Sequence, residues 1–207
     1  MAEICADQGL DADATEVWRR FLRAAYLQRA ETHDEPVYHT YQEAWANQFE
    51  RVFKLLRLPG DANAASLHLK ERLTAAPAFD DALPAIQALK AQYPVAVLSN
   101  ADNDFLHACL DRNGLNFDTV ISSEDAGAIK PHRDIFHFLA RTMNVPVGRI
   151  LYAGDNPIPD VLGPSRAGMK SAWVNRTGMR KPRNVPSPDI RVKSLSELVR
   201  ILIPTRD

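Results

Sequence analysis

The sequence predicts a mixed α/β protein in which a helical block precedes a parallel sheet. Two patterns along the chain support this prediction. Up to about Ala75, apolar residues recur with the three- and four-residue spacing of amphipathic helices. From Phe79 onward, short apolar runs alternate with helical segments, which is typical of a parallel sheet covered by helices. We therefore predict a helical domain at residues 1–76 and an α/β domain at residues 77–207.

Three helices are predicted in the helical block. The first begins near Ala14 and carries the apolar stripe Trp18, Phe21, Leu22, Ala25 and Tyr26. The second covers Tyr41–Leu56 and ends at residues 58–60, because the proline and glycine there cannot continue a helix. Asp61 begins the third, which runs to Leu73. We assign the aromatic residues of this block to its core.

Four strands and five helices are predicted in the α/β block. The strands are residues 95–98, 119–122, 150–153 and 171–174. The helices are residues 82–91, 104–112, 133–143, 164–167 and 195–202. Residues 181–188 are rich in proline and basic side chains, which indicates a surface loop.

Composition excludes several classes of partner. The 25 basic and 26 acidic side chains give a net charge of -1, so no global field concentrates nucleic acid or an anionic membrane at the surface. Cys5 and Cys109 do not form a disulfide framework or a zinc-binding pattern. No apolar run is long enough to span a bilayer, and residues 1–10 lack the pattern of a signal peptide. We expect a cytoplasmic protein that binds a small molecule.

Polar residues at the ends of the predicted strands are the candidates for chemistry, because ligands of parallel sheets bind beyond the carboxyl ends of the strands. Ser99 and Asn100 follow the first strand and could donate hydrogen bonds to an anion, although the same pair is common in turns. Lys130 follows the second strand, where it either neutralises a phosphate or lies solvated in a loop.

Two carboxylates follow the third strand. Gly154 and Asp155 end that strand, and Asp160 lies five residues further along. Glycine before aspartate at a strand end directs the carboxylate outward, and hard oxygen ligands of this kind suit Mg²⁺. The alternative for Asp155 is an ordinary helix cap. The sequence therefore predicts a magnesium site at Asp155 and Asp160.

In this order and spacing, these motifs resemble those of the haloacid dehalogenase (HAD) superfamily, over residues 17–202. Ser99 is similar to the family's second motif, Lys130 in Gly-x-x-Lys-Pro to its third, and Asp155 with Asp160 to its acidic fourth. The resemblance implies a Rossmann-like core with a helical cap domain. It also implies that Ser99 and Lys130 are catalytic, that Ser99, Asn100 and Lys130 bind phosphate, and that Asp155 and Asp160 bind Mg²⁺.

The family's first motif is Asp-x-Asp-x-Thr at the end of a buried strand, where the first aspartate attacks phosphorus. Residues 11–15 match it literally, but residues 1–10 contain Glu3, Asp7 and Gly9 and cannot form a central apolar strand. Asp13 and Glu16 instead form a capping-box pattern before the first long helix. We therefore interpret residues 11–15 as a helix cap and residues 1–9 as the end of a preceding cap helix.

This interpretation leaves the core without the strand that carries the nucleophile. In the family that strand lies between those ending at Ser99 and Gly154, so its absence should either leave ladder groups unpaired or bring these neighbours together. We expect that a misplaced start codon or a cloning boundary has clipped a longer protein. The alternative is a true pseudoenzyme.

The paired acids favour a Mg²⁺-dependent phosphatase that acts on a small phosphate monoester through an aspartyl-phosphate. The chain as given is expected to be inactive. Two alternatives remain: a non-catalytic module that binds phosphate or a partner chain, and a 2-haloacid dehalogenase, which in this family needs no metal. Pro157 and Pro159 depart from the family's usual pattern, which puts the role of Asp160 as a direct ligand in question. Oligomeric state is left open.

Overall fold

The computed structural model describes residues 1–32 and 39–204, and it does not describe the side chains of residues 26–32. The core position predicted for the Tyr26 side chain therefore lies outside the described part of the structure. The chain divides into two compact units: Met1–Ala76 with Ala101–Arg112, and Pro77–Asn100 with Asn113–Asp207. We call them the helical unit and the α/β unit.

Helices and strands follow one another along the chain. The helices are α1 (Ala2–Asp7), α2 (Ala14–Thr32), α3 (Tyr41–Leu56), α4 (Ala62–Thr74), α5 (Ala82–Lys90), α6 (Asn103–Arg112), α7 (Ser123–Ala126), α8 (Arg133–Thr142), α9 (Gly163–Ala167) and α10 (Leu195–Leu202). The strands are β1 (Ala96–Ser99), β2 (Thr119–Ser122), β3 (Leu151–Gly154), β4 (Lys170–Val174) and β5 (Ile190–Val192). A 3₁₀ turn covers Val147–Arg149, and a π-helical turn covers Ile158–Leu162.

The helical unit has a continuous apolar core, as the aromatic stripes predict. Phe21, Phe49 and Phe53 are buried, and their rings form one row with centroid separations of 4.6 and 5.6 Å. Ile4 of α1 joins this core, so the short helix predicted before residue 10 is present. Trp18, by contrast, is 40% exposed and is not a core residue. None of the described helices is both long and apolar enough to cross a membrane.

The literal Asp-x-Asp-x-Thr match lies at the start of α2 and not at the end of a strand. Asp13 accepts a hydrogen bond from the backbone N–H of Thr15 at 2.8 Å, as a helix cap does. Glu16 pairs with the side chains of Arg19 and Arg20, and its part in the predicted capping box stays a prediction. The local structure of these residues is therefore that of a helix start.

Residues 101–112 belong to the helical unit, whereas the predicted boundary after residue 76 assigns them to the α/β domain. Asp102 accepts hydrogen bonds from the first N–H groups of α3, at Tyr41 (2.7 Å) and Gln42 (3.0 Å). Phe105 packs edge-on against Trp45 with a centroid distance of 5.6 Å. These contacts join residues about 60 positions apart. A domain boundary placed at a single point along the sequence does not reveal them.

The α/β unit contains two parallel sheets among its described residues, where one sheet is predicted. β1 pairs with β2, and a separate sheet has the order β3-β4-β5. The four predicted strands are confirmed to within one residue at either end, and β5 is an addition that the sequence did not reveal. β1 and β3 do not pair with each other. Of the two expected consequences of a missing strand, unpaired edges are therefore the one observed.

A partly buried ion pair connects the beginning of α5 to the end of β4 in the α/β unit. The guanidinium of Arg176 donates two hydrogen bonds to Asp81, at 2.7 and 3.2 Å. Asp81 also accepts the backbone N–H of Leu195 at 2.8 Å, which satisfies one of the unpaired donors at the start of α10. The hydrogen bond from Arg176 holds the pKa of Asp81 below its usual value, against the opposing effect of partial burial.

We predict that Asp81→Asn lowers the free energy of unfolding at pH 7 by about 1–2 kcal/mol, because hydrogen bonds to a charged group are lost. The folded-state pKa of Asp81 lies below the unfolded value of about 3.9. The stabilisation is therefore fully present above pH 4 and is lost as the pH falls through the folded pKa. Urea unfolding measures the free energy of unfolding of the variant and of the parent protein. The difference between the two should be smaller at pH 3 than at pH 7.

Asp118→Asn is the matched control, because Asp118 is 90% exposed and lies 3.8 Å from Lys90. Its effect on the unfolding free energy should be small at both pH values. Equal effects of the two substitutions would contradict a structural role for the Asp81–Arg176 pair.

Candidate anion site

Lys130 lies at the centre of a buried polar network at the carboxyl ends of β1 and β3. Its ammonium is 2.8 Å from a carboxylate oxygen of Asp160 and 2.7 Å from the hydroxyl of Tyr152. The exposed fractions of the Lys130 and Asp160 side chains are 11% and 6%, so this ion pair is largely removed from water. Lys130 and Asp160, which the sequence singled out separately, are brought into direct contact.

Asn100 holds the backbone at Lys130 in place. Its side-chain oxygen accepts the N–H of Lys130 at 2.7 Å, and its side-chain nitrogen donates to the carbonyl of Lys130 at 3.0 Å. The amide is therefore already engaged on both sides. These contacts give Asn100 a structural role in the loop that carries the lysine; because its side-chain nitrogen has a second N–H donor, the binding of phosphate by Asn100 stays a prediction.

Tyr152 is a member of the site that sequence reasoning missed. It lies on β3, its hydroxyl accepts a hydrogen bond from Lys130, and that hydroxyl donates to the carbonyl of Leu98 on β1 at 2.9 Å. The sequence does contain a signal for it, because Tyr152 lies in an otherwise aliphatic predicted strand. A buried phenol needs a hydrogen-bond partner, so a polar contact at this position could have been predicted. Burial raises the pKa of Tyr152 to about 12, so the hydroxyl keeps its proton at neutral pH.

Lys130 stays charged in this environment. Burial alone lowers the pKa of a lysine, but the interactions with Tyr152 and Asp160 outweigh it and raise the pKa above the ordinary value. An ammonium has three donors, and two of them bind Tyr152 and Asp160. These two contacts account for two of the three donors, which leaves one for a further ligand.

Gly154 is required by the close approach of Asp160. A Cβ atom at position 154 would lie 2.5 Å from both the Cβ and the Cγ of Asp160, well inside van der Waals contact. Asp160 lies on the π-helical turn Ile158–Leu162, and its second carboxylate oxygen accepts the N–H of Asn156 at 3.0 Å. The glycine that the sequence linked to the direction of Asp155 therefore makes room for Asp160.

The two predicted magnesium ligands lie in different environments. Asp155 follows β3 and is exposed, whereas Asp160 is buried and both of its oxygens have protein partners. In the described part of the chain, no three His, Cys, Asp or Glu side chains are grouped so that they could hold a metal ion. Of the two, Asp155 therefore offers an exposed carboxylate, and because Mg²⁺ is commonly held by one or two carboxylates with water, the magnesium site stays a prediction.

Ser99 ends β1 opposite Ser122 of β2 in the parallel register, and it is half-buried. It lies directly before Asn100, the residue that holds the Lys130 loop. The predicted phosphate-binding residues thus meet at one edge of the sheet. In the described residues no strand ends in an aspartate that could attack a substrate beside them.

Parallel sheets with a buried lysine and aspartate beyond their strand ends place this chain in the α/β class. The family model for haloacid dehalogenase-like hydrolases matches residues 5–168. The chain belongs to the haloacid dehalogenase-like hydrolase family, as the motifs at Ser99, Lys130 and Asp155 predict.

Relatives with known activities fall into two groups. The chain is 29% identical over 168 residues to the pyrimidine 5'-nucleotidase YjjG of Escherichia coli (strain K12), covering 79% of this chain and 70% of that protein. It is 30% identical over 171 residues to (S)-2-haloacid dehalogenase 4A of Burkholderia cepacia, covering 79% and 73%. The first of these relatives is named for the hydrolysis of a phosphate ester, and the second for the hydrolysis of a carbon–halogen bond.

A solved structure supports the fold. The putative HAD-hydrolase YfnB of Bacillus subtilis, whose crystal was bound to magnesium, superposes with a TM-score of 0.83 at 19% identity. The match covers 98% of this chain and 89% of that chain.

We predict that Gly154→Ala lowers the free energy of unfolding by about 1–3 kcal/mol, because its methyl group overlaps Asp160 and forces the turn to move. Gly148→Ala is the matched control, since the nearest atom to a Cβ there is a backbone oxygen at 3.9 Å. Its effect should stay within about 0.5 kcal/mol. Thermal or urea unfolding measures both, and equal stability of the two variants would show that Asp160 does not pack against Gly154.

Proposed function

We propose that this chain carries the phosphate-binding part of a hydrolase for small phosphate monoesters. The observation that carries the proposal is the buried Lys130 ammonium, whose two contacts with Tyr152 and Asp160 use two of its three donors. A cation held rigidly in a site of low dielectric interacts strongly with charge that develops on a phosphoryl group. Lys130 would hold the phosphoryl oxygens, and Ser99 would donate a second hydrogen bond.

The acidic residues after β3 favour a phosphate ester over a halogenated acid as the substrate. The resemblance links a paired acidic fourth motif to magnesium-dependent phosphatases, and both Asp155 and Asp160 are present. Asp160 acts here by keeping Lys130 charged and oriented, which leaves Asp155 as the candidate for Mg²⁺. A magnesium ion held by Asp155 would complete its coordination with further oxygen ligands, such as water or the substrate phosphate.

Dehalogenation is the second candidate function. The relatives support it as much as they support phosphate hydrolysis, because both activities occur among them at similar sequence identity. Besides the Burkholderia cepacia protein, haloacetate dehalogenase H-2 of Moraxella sp. (strain B) is 26% identical over 188 residues. A 2-haloacid presents a singly charged carboxylate, which one lysine can bind. A test of function must therefore compare a phosphate with a halogenated carboxylate in the same site.

We predict that the chain binds inorganic phosphate more tightly than 2-chloropropionate in isothermal titration at pH 7. The double variant Lys130→Gln/Asp160→Asn should lose at least about tenfold in phosphate affinity, since one charge-assisted hydrogen bond contributes about 1.5–3 kcal/mol. Both residues are changed together because a single change would leave a buried charge unpaired.

Lys70→Gln is the matched control for this titration. Lys70 also forms an ion pair, with Asp104 at 2.6 Å, but it belongs to the helical unit. The phosphate affinity of the Lys70→Gln variant should equal that of the parent protein. Tighter binding of 2-chloropropionate than of phosphate would favour the dehalogenase, and undiminished phosphate binding by the double variant would rule out the role proposed for Lys130.

We also predict no measurable hydrolysis of p-nitrophenyl phosphate by residues 1–207, with or without Mg²⁺. No described strand supplies a nucleophilic aspartate, and the literal motif at residues 11–15 begins a helix. A colorimetric assay with Asp11→Ala and Asp155→Ala as controls checks this. Turnover that disappears in either variant would contradict the prediction, and loss in Asp11→Ala would identify the nucleophile.

A further inference from the structure

A strongly basic loop follows β4 in the α/β unit. Half of residues 176–183 are arginine or lysine and none is acidic, although the whole chain has 25 basic and 26 acidic side chains. The side chains of Arg180 and Arg183 are exposed. A local positive field is therefore present at this loop, and the net charge of the whole chain does not reveal it.

This basic loop begins beside the candidate anion site. β4 pairs with β3 in parallel register, with Trp173 opposite Gly154. The indole N–H of Trp173 donates a hydrogen bond to the backbone carbonyl of Asp155 at 2.8 Å. Because the loop follows Val174, the last residue of β4, it starts at the same edge of the sheet as Asp155 and about 4.8 Å, one strand spacing, further along.

The far end of the loop is anchored to the turn that carries Asp160. Val185 is buried and packs in one apolar cluster with Val161 and Leu162, which directly follow Asp160. The ammonium of Lys181 donates a hydrogen bond to the carbonyl of Val185. The basic loop therefore lies against the π-helical turn of the anion site.

The near end of the loop is held by a side chain. The side-chain oxygen of Asn175 accepts the N–H of Met179 at 2.8 Å, and its side-chain nitrogen donates to the carbonyl of Met179 at 2.9 Å. With both ends anchored, the exposed arginines project from a fixed backbone. A binding group that is already ordered loses less entropy when a ligand binds.

The two exposed arginines are the cations of this loop that have no acidic partner. Arg176 is paired with Asp81 at 2.7 Å. Arg180 and Arg183 form no ion pair with any residue in the described part of the chain. Each guanidinium has a planar set of donors that fits the oxygens of a phosphate group. Two such charges match the charge of about -2 that a phosphate monoester carries at neutral pH.

We propose that Arg180 and Arg183 form a second anion subsite, which binds the second phosphate group of a substrate that carries two. The inference rests on the proposed function, because Lys130 binds the phosphate that is hydrolysed. Lys130 contacts Tyr152 of β3, and the loop follows the neighbouring strand. One strand spacing and the reach of an arginine side chain thus place the two phosphates on the order of 10 Å apart.

The experiment compares two ligands that differ by one phosphate. Hexyl phosphate and the bisphosphate of hexanediol, which has a phosphate at each end of the same carbon chain, are titrated calorimetrically into the full chain at pH 7. The parent protein should bind the bisphosphate at least about tenfold more tightly, since the second phosphate gains charge-assisted hydrogen bonds. In Arg180→Gln/Arg183→Gln, the two affinities should agree to within about twofold, because these bonds are lost.

Arg149→Gln/Arg200→Gln is the matched control. Both arginines are exposed, and the double variant changes the net charge by the same amount. Arg149 precedes the amino end of β3, and Arg200 lies near the end of α10. The preference for the bisphosphate should persist in this variant. Its loss there would show that total charge, and not the loop, determines the preference, and it would overturn the proposal.

The same titrations separate this proposal from the proposed function. A parent protein that binds inorganic phosphate and hexyl phosphate but does not prefer the bisphosphate would overturn the second subsite alone. A preference that survives in Arg180→Gln/Arg183→Gln would also overturn it. A parent protein that binds neither inorganic phosphate nor hexyl phosphate would overturn the proposed function and the second subsite with it.

Discussion

The ion pair between Lys130 and Asp160 is the interaction on which the arrangement of the site depends. Removing two charges from water is costly, so such a pair persists only where further hydrogen bonds satisfy it. Here Tyr152 accepts a hydrogen bond from the lysine, the backbone N–H of Asn156 donates one to the carboxylate, and Asn100 holds the Lys130 backbone. Five chain segments from β1 to the π-helical turn are thereby fixed around one ammonium.

The close approach of Asp160 to this ammonium has consequences in the neighbouring strand. Because the carboxylate lies over the Cα of Gly154, any side chain at that position would displace it. The turn that carries Asp160 is π-helical and contains Pro159, so the aspartate reaches inward from a conformation that an ordinary helix does not provide. Pro159, which put the role of Asp160 as a metal ligand in question, therefore lies in a turn whose aspartate points inward and binds Lys130.

Much of this architecture was predictable from the sequence, because local patterns determine it. The apolar stripes of α3 and the run that forms β2 agree with the structure to the residue. β5 was missed because its three residues, Ile190–Val192, form too short an alternating run to predict a strand. The placement of residues 101–112 depends on Asp102 reaching α3 some 60 positions away, and the role of Tyr152 depends on Leu98, so neither follows from local sequence.

The open edges of β1 and β3 and the candidate anion site lie in the same part of the α/β unit. A nucleophile in a parallel α/β site is held at the carboxyl end of a strand, and the strand ends nearest Lys130 belong to β1 and β3, which carry Ser99 and Gly154 there. Direct pairing between these two edges would satisfy their backbone ladders but would bring no carboxylate to the lysine. Among the described residues, the unpaired edges and the lack of a strand-end aspartate therefore concern the same two strands.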